Sequence, residues 1–329
     1  MKLPRRQFLH LAAGAVALPA VLRLASAQTY PSQPIRLVVP FPPGGGYDLM
    51  ARLWADKVKS LLGTIIVENM GGGGSSVGAA AVARARPDGY TLLVGGTIPH
   101  VNEALLKNRP LYDPIKELDP ISCIAFGPWA IAINPLLPPQ TLKEFIAYAK
   151  ANPGKLFYGH NGVGSINHLT GELFKSLAEL HEIVPIPYRG AGPAIADLMS
   201  GQIPAAVVGV TSQVLELHRS GKLRVLAVTS PTRLVGAPDL PTAAEMGLPG
   251  LTAIGSIGLL APAGTPKTII DQIAQATRTA LAEPVYQRML IESGLDPTPD
   301  SSPEKFRRML ADDIALWTPV IKALGLKIE

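Results

Sequence analysis

An apolar run at residues 37–39 breaks into a loop of prolines and glycines, and a helical pattern follows. From Leu49 to Leu62, apolar residues recur at intervals of three and four, and charged residues occupy the opposite face. Asp48 stands where the N-cap of such a helix belongs. This order of residues predicts a buried strand, a tight loop and a helix N-terminus.

The composition of this loop indicates what it could bind. Gly44, Gly45 and Gly46 allow a guest to approach the backbone closely, and the first N–H groups of the next helix lack intrahelical partners. A carboxylate or a phosphate suits such a site. A nucleotide is disfavoured, because no Lys follows the loop and the third glycine of a dinucleotide fingerprint is missing. A tight turn without a ligand is the alternative.

The same order of strand, loop and helix recurs, which predicts parallel βαβ units and an α/β fold. In open α/β sheets, ligands bind beyond the carboxyl ends of the strands. Thr97 lies in the segment Gly96–His100, which we expect to form a loop after the third strand. It is therefore a second candidate contact, or a residue that only caps local backbone.

The pattern loosens between residues 110 and 139. Two short strands are expected at 121–125 and 129–133, separated by Gly127 and Pro128. We expect the chain to cross there from one domain to a second.

A second glycine-rich loop follows His160, and Ser165 precedes the next helical pattern. Ser165 and His168 invite interpretation as a serine hydrolase, but the residues around Ser165 do not form the G-x-S-x-G elbow and no acid is placed to orient the imidazole. A Ser at this position more often caps the helix. A metal site is disfavoured, because His160 and His168 lack i, i+4 spacing and no Cys or acidic cluster joins them.

Two further loops in the second half of the chain carry candidates. Arg189 precedes Gly190 in a glycine-rich loop, where its guanidinium could pair with a ligand carboxylate in a bidentate manner. The alternative is an ordinary solvated Arg. Thr211 follows another buried strand and leads into a helix.

The N-terminus predicts export. Arg5 and Arg6 precede an apolar run, and Ala25-Ser26-Ala27 forms a small-residue cleavage site, so residues 1–27 are expected to be a twin-arginine signal, or alternatively a Sec signal. No later segment offers about 18 uninterrupted apolar residues, so we expect a soluble mature protein.

Charge and cysteine content limit the partners and the covalent chemistry. Removing residues 1–27 takes away four basic residues and no acid, which lowers the formal net charge from +5 to +1. No basic run with interleaved aromatic residues points to nucleic acid. Cys123 is the single cysteine, so no intramolecular disulfide can form.

Taken in order, six segments resemble the periplasmic substrate-binding receptors of tripartite tricarboxylate transporters, the TctC or Bug family. The resemblance covers essentially the whole mature chain. The segments are Val39-Pro40-Phe41-Pro42-Pro43-Gly44-Gly45-Gly46-Tyr47-Asp48, Val67-Glu68-Asn69, Arg86-Pro87-Asp88-Gly89-Tyr90-Thr91-Leu92-Leu93, Gly162-Val163-Gly164-Ser165-Ile166-Asn167-His168-Leu169, Pro187-Tyr188-Arg189-Gly190 and Leu259-Leu260-Ala261-Pro262-Ala263-Gly264-Thr265-Pro266.

The resemblance implies a two-lobed α/β clamshell, a type II-like Venus flytrap in which each lobe is a mostly parallel sheet flanked by helices. We expect one lobe at 28–127 and 254–329 and the other at 128–253. Such receptors bind a small carboxylate between the lobes and deliver it to a membrane permease, with no catalysis and no cofactor, and we expect a monomer. The candidate ligand contacts are Phe41, Pro42, Gly44, Gly45, Tyr47, Asp48, Thr97, His160, Asn161, Gly164, Ser165, His168, Arg189, Gly190 and Thr211.

Four departures from the family pattern bear on the ligand. Tyr47 stands where a small residue is more common, His160 where Ser or Ala is common, and Arg189 where Lys is usual. Val208-Gly209-Val210 replaces a segment that commonly carries an acid, which removes a partner for a ligand ammonium group and favours a non-amino carboxylate. A periplasmic sensor subunit that binds the same solute is an alternative to a transport receptor.

Overall fold

The computed structural model describes residues 30–188 and 190–327. The predicted signal sequence, residues 1–27, and Arg189 lie outside the described residues. The strands are β1 (Ile35–Val39), β2 (Ile65–Asn69), β3 (Thr91–Gly96), β4 (Leu118–Ile133), β5 (Phe157–His160), β6 (Val184–Pro187), β7 (Ala205–Gly209), β8 (Arg224–Val228), β9 (Ile254–Pro262) and β10 (Asp296–Pro297). The helices are α1 (Gly46–Leu62), α2 (Ser76–Ala83), α3 (Thr97–Val101), α4 (Leu142–Ala151), α5 (Ile166–Ala178), α6 (Ala191–Ser200), α7 (Ser212–Arg219), α8 (Lys267–Leu281), α9 (Pro284–Glu292) and α10 (Pro303–Leu324), with a 3-10 turn at Gly73–Ser75 and a π-helical turn at Asn102–Leu106.

The strands form two sheets that share β4. In the first sheet β1 lies between β2 and β3, both parallel to it, and β9, β4 and β10 follow in antiparallel order. In the second sheet β5 lies between β6 and β7, both parallel to it, and β4 lies antiparallel between β7 and β8. The predicted α/β class is confirmed, and each sheet adds antiparallel strands to its parallel part.

The two short strands predicted on either side of Gly127 and Pro128 are wrong, because β4 is one continuous strand of 16 residues. Its partner changes where the break was expected. Pro128 is the last residue paired with β9, and Trp129 is the first paired with β7. Pro128 still contributes its carbonyl oxygen, which accepts a hydrogen bond from Val210 N at 3.0 Å.

Apolar residues cover both faces of each sheet. On β1, Leu37 and Val39 pack in one buried cluster with α1 and α8, whereas Val38 packs in another with α2. A strand that is buried on both faces is typical of sheets with parallel βαβ units. The carboxyl edge of the sheet, where these strands end, is therefore formed by loops and helix N-termini.

Helix α10 packs against the cores of both sheets. Phe306 and Leu310 lie in a cluster of the first sheet, and Trp317 and Ile321 lie in a cluster of the second. At 1.5 Å per residue, the 22 residues of this helix span about 33 Å. The middle of α10 therefore lies beside the region where β4 passes from one sheet to the other.

None of the helices in the described part of the chain combines the length and the apolar character needed to cross a membrane.

Candidate functional site

The side chain of Asp48 organises the loop after β1. Its carboxylate, in a residue that is 4% exposed, accepts hydrogen bonds from Gly44 N (2.9 Å) and Asn69 Nδ2 (2.9 Å) and pairs with Arg52 Nη2 (3.0 Å). Asn69 also donates to the carbonyl of Phe41 at 3.1 Å. Burial opposes ionisation, but the hydrogen bonds from Arg52, Gly44 and Asn69 hold the pKa of Asp48 below its ordinary value.

Helix α1 begins earlier than the sequence predicted, so the assignment of Asp48 as N-cap is wrong. Gly45 is the N-cap, and Asp48 is the third residue of the helix, from which it reaches back to the N–H of Gly44. Gly44 has φ +91°, a conformation that lets the chain turn before Asp48. No atom lies within 4 Å of where a Cβ would be on Gly44 or Gly45, so this exposed backbone is open to a guest.

Two aromatic rings connect the loop to β9. Phe41 and Tyr47 contact each other with ring centroids 4.7 Å apart, and Tyr47 Oη donates to the carbonyl of Ser256 at 3.3 Å. Tyr47 is 7% exposed, and burial raises the pKa of its hydroxyl, which stays protonated as a donor. Pro42 is exposed beside this pair. The loop therefore presents glycine backbone and two prolines, Pro42 and Pro43, with aromatic support behind them.

Two stacked imidazoles lie at the corresponding position of the second sheet. The rings of His160 and His168 are 4.3 Å apart and nearly parallel, at 20°. His168 Nδ1 accepts from Gly164 N at 3.2 Å, which places the proton of the neutral ring on Nε2. Burial lowers the pKa of both, that of His160 to about 4 with a further contribution from His168. At neutral pH both imidazoles are uncharged, so their N–H groups can donate hydrogen bonds without bringing a positive charge to the site.

Two asparagines and a capping serine hold the loop between the histidines. Asn161 Nδ2 donates to Asn167 Oδ1 at 3.1 Å, and Asn167 Nδ2 donates to the carbonyl of Val207 at 2.9 Å. Ser165 caps α5, where its hydroxyl accepts from His168 N at 3.2 Å, as the sequence predicted. Asn161 Oδ1 is buried without a partner among the described residues.

These contacts do not assemble a hydrolase or a metal centre. The bond between Ser165 and His168 runs from the backbone N–H to the hydroxyl, and the ring nitrogen Nδ1 of His168 is engaged by Gly164. A triad needs the imidazole to take a proton from the hydroxyl and an acid to orient the imidazole. Within residues 30–188 and 190–327, no group of three or more His, Cys, Asp or Glu could hold a metal ion.

The remaining candidates of the second sheet lie at two further helix N-termini. Gly190 is the N-cap of α6 with φ +115°, and no atom lies within 4 Å of where its Cβ would be. Thr211 caps α7, where its hydroxyl accepts from Val214 N at 3.3 Å. Helices α5, α6 and α7 all follow parallel strands, so their N-termini meet at one edge of the sheet.

Thr97 lies in a buried cluster of hydroxyl and carboxyl groups. It begins α3, so the predicted loop at Gly96–His100 is wrong, and its side chain is 0% exposed. Thr97 Oγ1 accepts from Ser256 N at 2.8 Å, donates to Asp313 Oδ2 at 2.5 Å and lies 3.0 Å from Ser256 Oγ. The cluster joins α3, β9 and α10 next to the change of sheets.

Ser256 and Asp313 were missed by sequence reasoning. Asp313 lies three residues after Leu310 and four before Trp317, both buried, so it is an acid on the apolar face of α10. That spacing was a signal that could have identified it. Burial raises the pKa of Asp313 to about 7, although the hydrogen bonds from Thr97 and Ser256 oppose the shift.

The raised pKa of Asp313 predicts a pH dependence of stability. The native state keeps this proton up to about pH 7, whereas the unfolded chain loses it near pH 4, so the contribution of Asp313 is fully present below pH 4 and is lost as pH rises through 7. Between pH 5 and pH 8, the free energy of unfolding measured by urea titration should fall by about 2 kcal/mol more in wild type than in Asp313→Asn. Asp312→Asn, on an exposed neighbour, is the control. Equal pH dependence in wild type and Asp313→Asn would contradict the assignment.

Comparisons with known proteins agree with this architecture. The family model "Tripartite tricarboxylate transporter family receptor" matches residues 50–326. Protein BugT of Bordetella pertussis is 36% identical over 317 residues, which cover 95% of this chain and 96% of BugT.

Two solved structures with bound acids are similar along nearly their whole length. MatC from Rhodopseudomonas palustris with bound malate has a TM-score of 0.80 and 30% identity, covering 89% of this chain and 100% of MatC. Rpa4515 from R. palustris with adipate has a TM-score of 0.83 and 32% identity, covering 91% of this chain and 99% of that protein. The chain therefore belongs to the tripartite tricarboxylate transporter receptor family, whose members are periplasmic solute-binding receptors and not enzymes.

Proposed function

We propose that this receptor binds a small carboxylate in a cleft between two lobes, residues 28–127 with 254–329 and residues 128–253. The observation that carries the proposal is the pairing of two similar loops, one at the carboxyl edge of each sheet. One presents the open backbone of Gly44 and Gly45, and the other presents Ser165 with the neutral stack of His160 and His168.

The chemistry of these loops favours an anion. Each loop precedes a helix, and a helix N-terminus stabilises a negative charge by about 0.3–1 kcal/mol when exposed and by more when partly buried. Charge-assisted hydrogen bonds contribute about 1.5–3 kcal/mol each. Four or five such contacts reach micromolar affinity, about −8 kcal/mol, after the entropy of binding is subtracted.

The charges of the described residues favour an acid without an ammonium group. Asp48, the acid of the first loop, already binds Gly44, Asn69 and Arg52. In the second sheet, Val208 and Val210 are buried apolar residues that offer no partner to a cation. Malate and adipate, the acids in MatC and Rpa4515, carry no ammonium group either.

Closure and delivery complete the proposal. The lobes would close by bending at Gly127-Pro128 and Ile254-Gly255, where β4 changes partner and β9 begins, because small residues absorb changes in backbone angles. The closed monomer would then dock on a tripartite tricarboxylate permease. Residues 1–27 would direct the protein to the periplasm, and Arg189 would add a cation to the site beside Gly190.

Replacing Ser165 with alanine tests the proposal. Titration calorimetry of residues 28–329 with malate, adipate and succinate should show a dissociation constant about five- to tenfold higher for Ser165→Ala, because the variant loses a hydroxyl and a cap next to the anion. The acid should be recovered unchanged from both proteins.

Thr141→Ala is the matched control. Thr141 caps α4 in the same way, with its hydroxyl accepting from Glu144 N at 3.2 Å. Helix α4 follows β4, which runs antiparallel to β7, so its N-terminus lies at the opposite edge of the sheet. An equal loss of affinity in Thr141→Ala, or binding that Ser165→Ala leaves unchanged, would contradict the proposed site.

A further inference from the structure

A third loop, residues 70–76, lies beside the loop that follows β1. It begins after β2, the parallel neighbour of β1, so both loops leave the same edge of the sheet. A Cβ on Gly71 would lie 3.3 Å from Pro42 Cδ and 3.5 Å from the carbonyl carbon of Phe41. The two loops therefore pack against each other, and the exposed backbone of Gly71–Gly74 adjoins the proposed anion site.

Ser75 has an unusual backbone conformation in this loop. Its φ is +95°, in the left-handed region that favours glycine, and it follows three glycines that also have positive φ, Gly72, Gly73 and Gly74. Glycine would adopt this conformation with less strain than serine does. Such positions concentrate at ligand-binding sites.

The hydroxyl of Ser75 is buried and has no protein partner among the described residues. Ser75 is 2% exposed, and its Oγ makes no hydrogen bond. The adjacent Ser76 differs, because its hydroxyl bonds to the buried carboxylate of Glu103 and to the carbonyl of Gly73. Only one of the two neighbouring hydroxyls is therefore used by the fold.

A second unpartnered atom belongs to Asn102, whose amide contacts Gly74. Asn102 Nδ2 donates to the carbonyl of Gly74 at 3.0 Å, which fixes Oδ1 as the free acceptor of this amide. Asn102 is 3% exposed, and its Oδ1 has no partner among the described residues. The hydroxyl of Ser75, the residue after Gly74, can donate and accept, and Oδ1 of Asn102, whose amide is bonded to Gly74, can accept.

We infer that Ser75 and Asn102 form a subsite for a hydroxyl group of the bound acid, so that this receptor selects hydroxy acids. A ligand hydroxyl both donates and accepts, which matches the two groups together. A carboxylate only accepts, and Asn102 Oδ1 would repel it. This inference rests on the proposed function, since the anion site would hold the carboxylate of the same ligand.

Matched pairs of acids test the subsite. Calorimetry would compare succinate with malate, glutarate with 2-hydroxyglutarate, adipate with 2-hydroxyadipate, and propionate with lactate, because the members of each pair differ by one hydroxyl. We expect wild type to bind the hydroxy acid at least fivefold more tightly in every pair that binds. Ser75→Gly suits the positive φ and removes the hydroxyl, and it should bind both members within about twofold of each other.

Ser165→Ala separates this subsite from the anion site. It should weaken both members of a pair alike and keep the ratio between them, because Ser165 belongs to the site of the carboxylate. Equal binding of both members by wild type in all pairs that bind, or a preference that survives in Ser75→Gly, would overturn the hydroxyl subsite while the proposed function stands. Binding of no acid by folded wild type would overturn both.

Discussion

Asp48→Ala is expected to lower the free energy of unfolding by about 3 kcal/mol, because it removes a buried charge and leaves its hydrogen-bond partners unpaired. Gly44 N–H and Asn69 Nδ2 lose their acceptor. Arg52 recovers part of its hydration, since its side chain is 53% exposed, and this keeps the loss at the low end for a buried ion pair.

The same substitution should weaken acid binding by about tenfold, because the loop must then be ordered when the ligand binds. Urea denaturation would measure the stability, and calorimetry with malate or adipate would measure the affinity. Asp271→Ala is the matched control, since Asp271 pairs with Lys267 at 2.7 Å on the exposed face of α8. Asp271→Ala should lower the free energy of unfolding by less than about 0.5 kcal/mol. Similar losses in the two variants would refute the special role of Asp48.

Gly96→Ala is expected to lower the free energy of unfolding by about 3 kcal/mol or more, because the added methyl group cannot be accommodated without moving two strands. A Cβ on Gly96 would lie 1.9 Å from the carbonyl oxygen of Ser256, a backbone atom of the neighbouring strand. Gly96 pairs with Ile257 at the end of β3, so relief of the clash would separate β3 from β9. It would also pull Thr97 away from Ser256 N and Asp313.

Gly192→Ala is the control for Gly96→Ala. Gly192 lies in α6, and no atom lies within 4 Å of where its Cβ would be. Alanine favours the helix there, so stability should stay the same or rise by up to about 1 kcal/mol. Denaturation midpoints of the two variants would be compared under identical conditions. A Gly96→Ala protein as stable as wild type would show that β3 and β9 are not held together at this point.

Local patterns predicted most of the fold. Alternation of apolar runs with Gly-rich loops predicted the strands and helices, because burial on both faces of a sheet leaves long apolar runs. The cap at Ser165 was equally local, since a side chain three residues from its N–H partner needs no tertiary information.

The errors arose where a distant segment decides the local structure. The continuity of β4 through Pro128 depends on its pairing with β9, more than 100 residues later. The start of α1 depends on Asn69, 21 residues away, which holds Asp48 within the first turn. Neither contact is encoded in the spacing of nearby residues.

Long-range contacts also hid part of the candidate site. Thr97 meets Ser256 and Asp313 across 159 and 216 positions of sequence, so its spacing predicted a loop residue and not a buried cluster. Ser75 follows a run of four glycines, and its positive φ and unpartnered hydroxyl are visible only in the structure. Thr97 and Ser75 are distinguished by their surroundings in the folded protein and not by their residue type.

A thermal-shift screen of the protein spanning residues 28–329 tests the central claim most directly. The ligands are mono-, di- and tricarboxylates, aromatic acids, amino acids, and the amides of the acids, applied to protein freed of co-purified solute by unfolding and refolding. We predict stabilisation confined to non-amino carboxylates, about 2.7 kcal/mol at a hundredfold excess over Kd, with no response to the amides. No stabilisation by any acid, or an equal response to acids and their amides, would contradict a carboxylate site between the two loops.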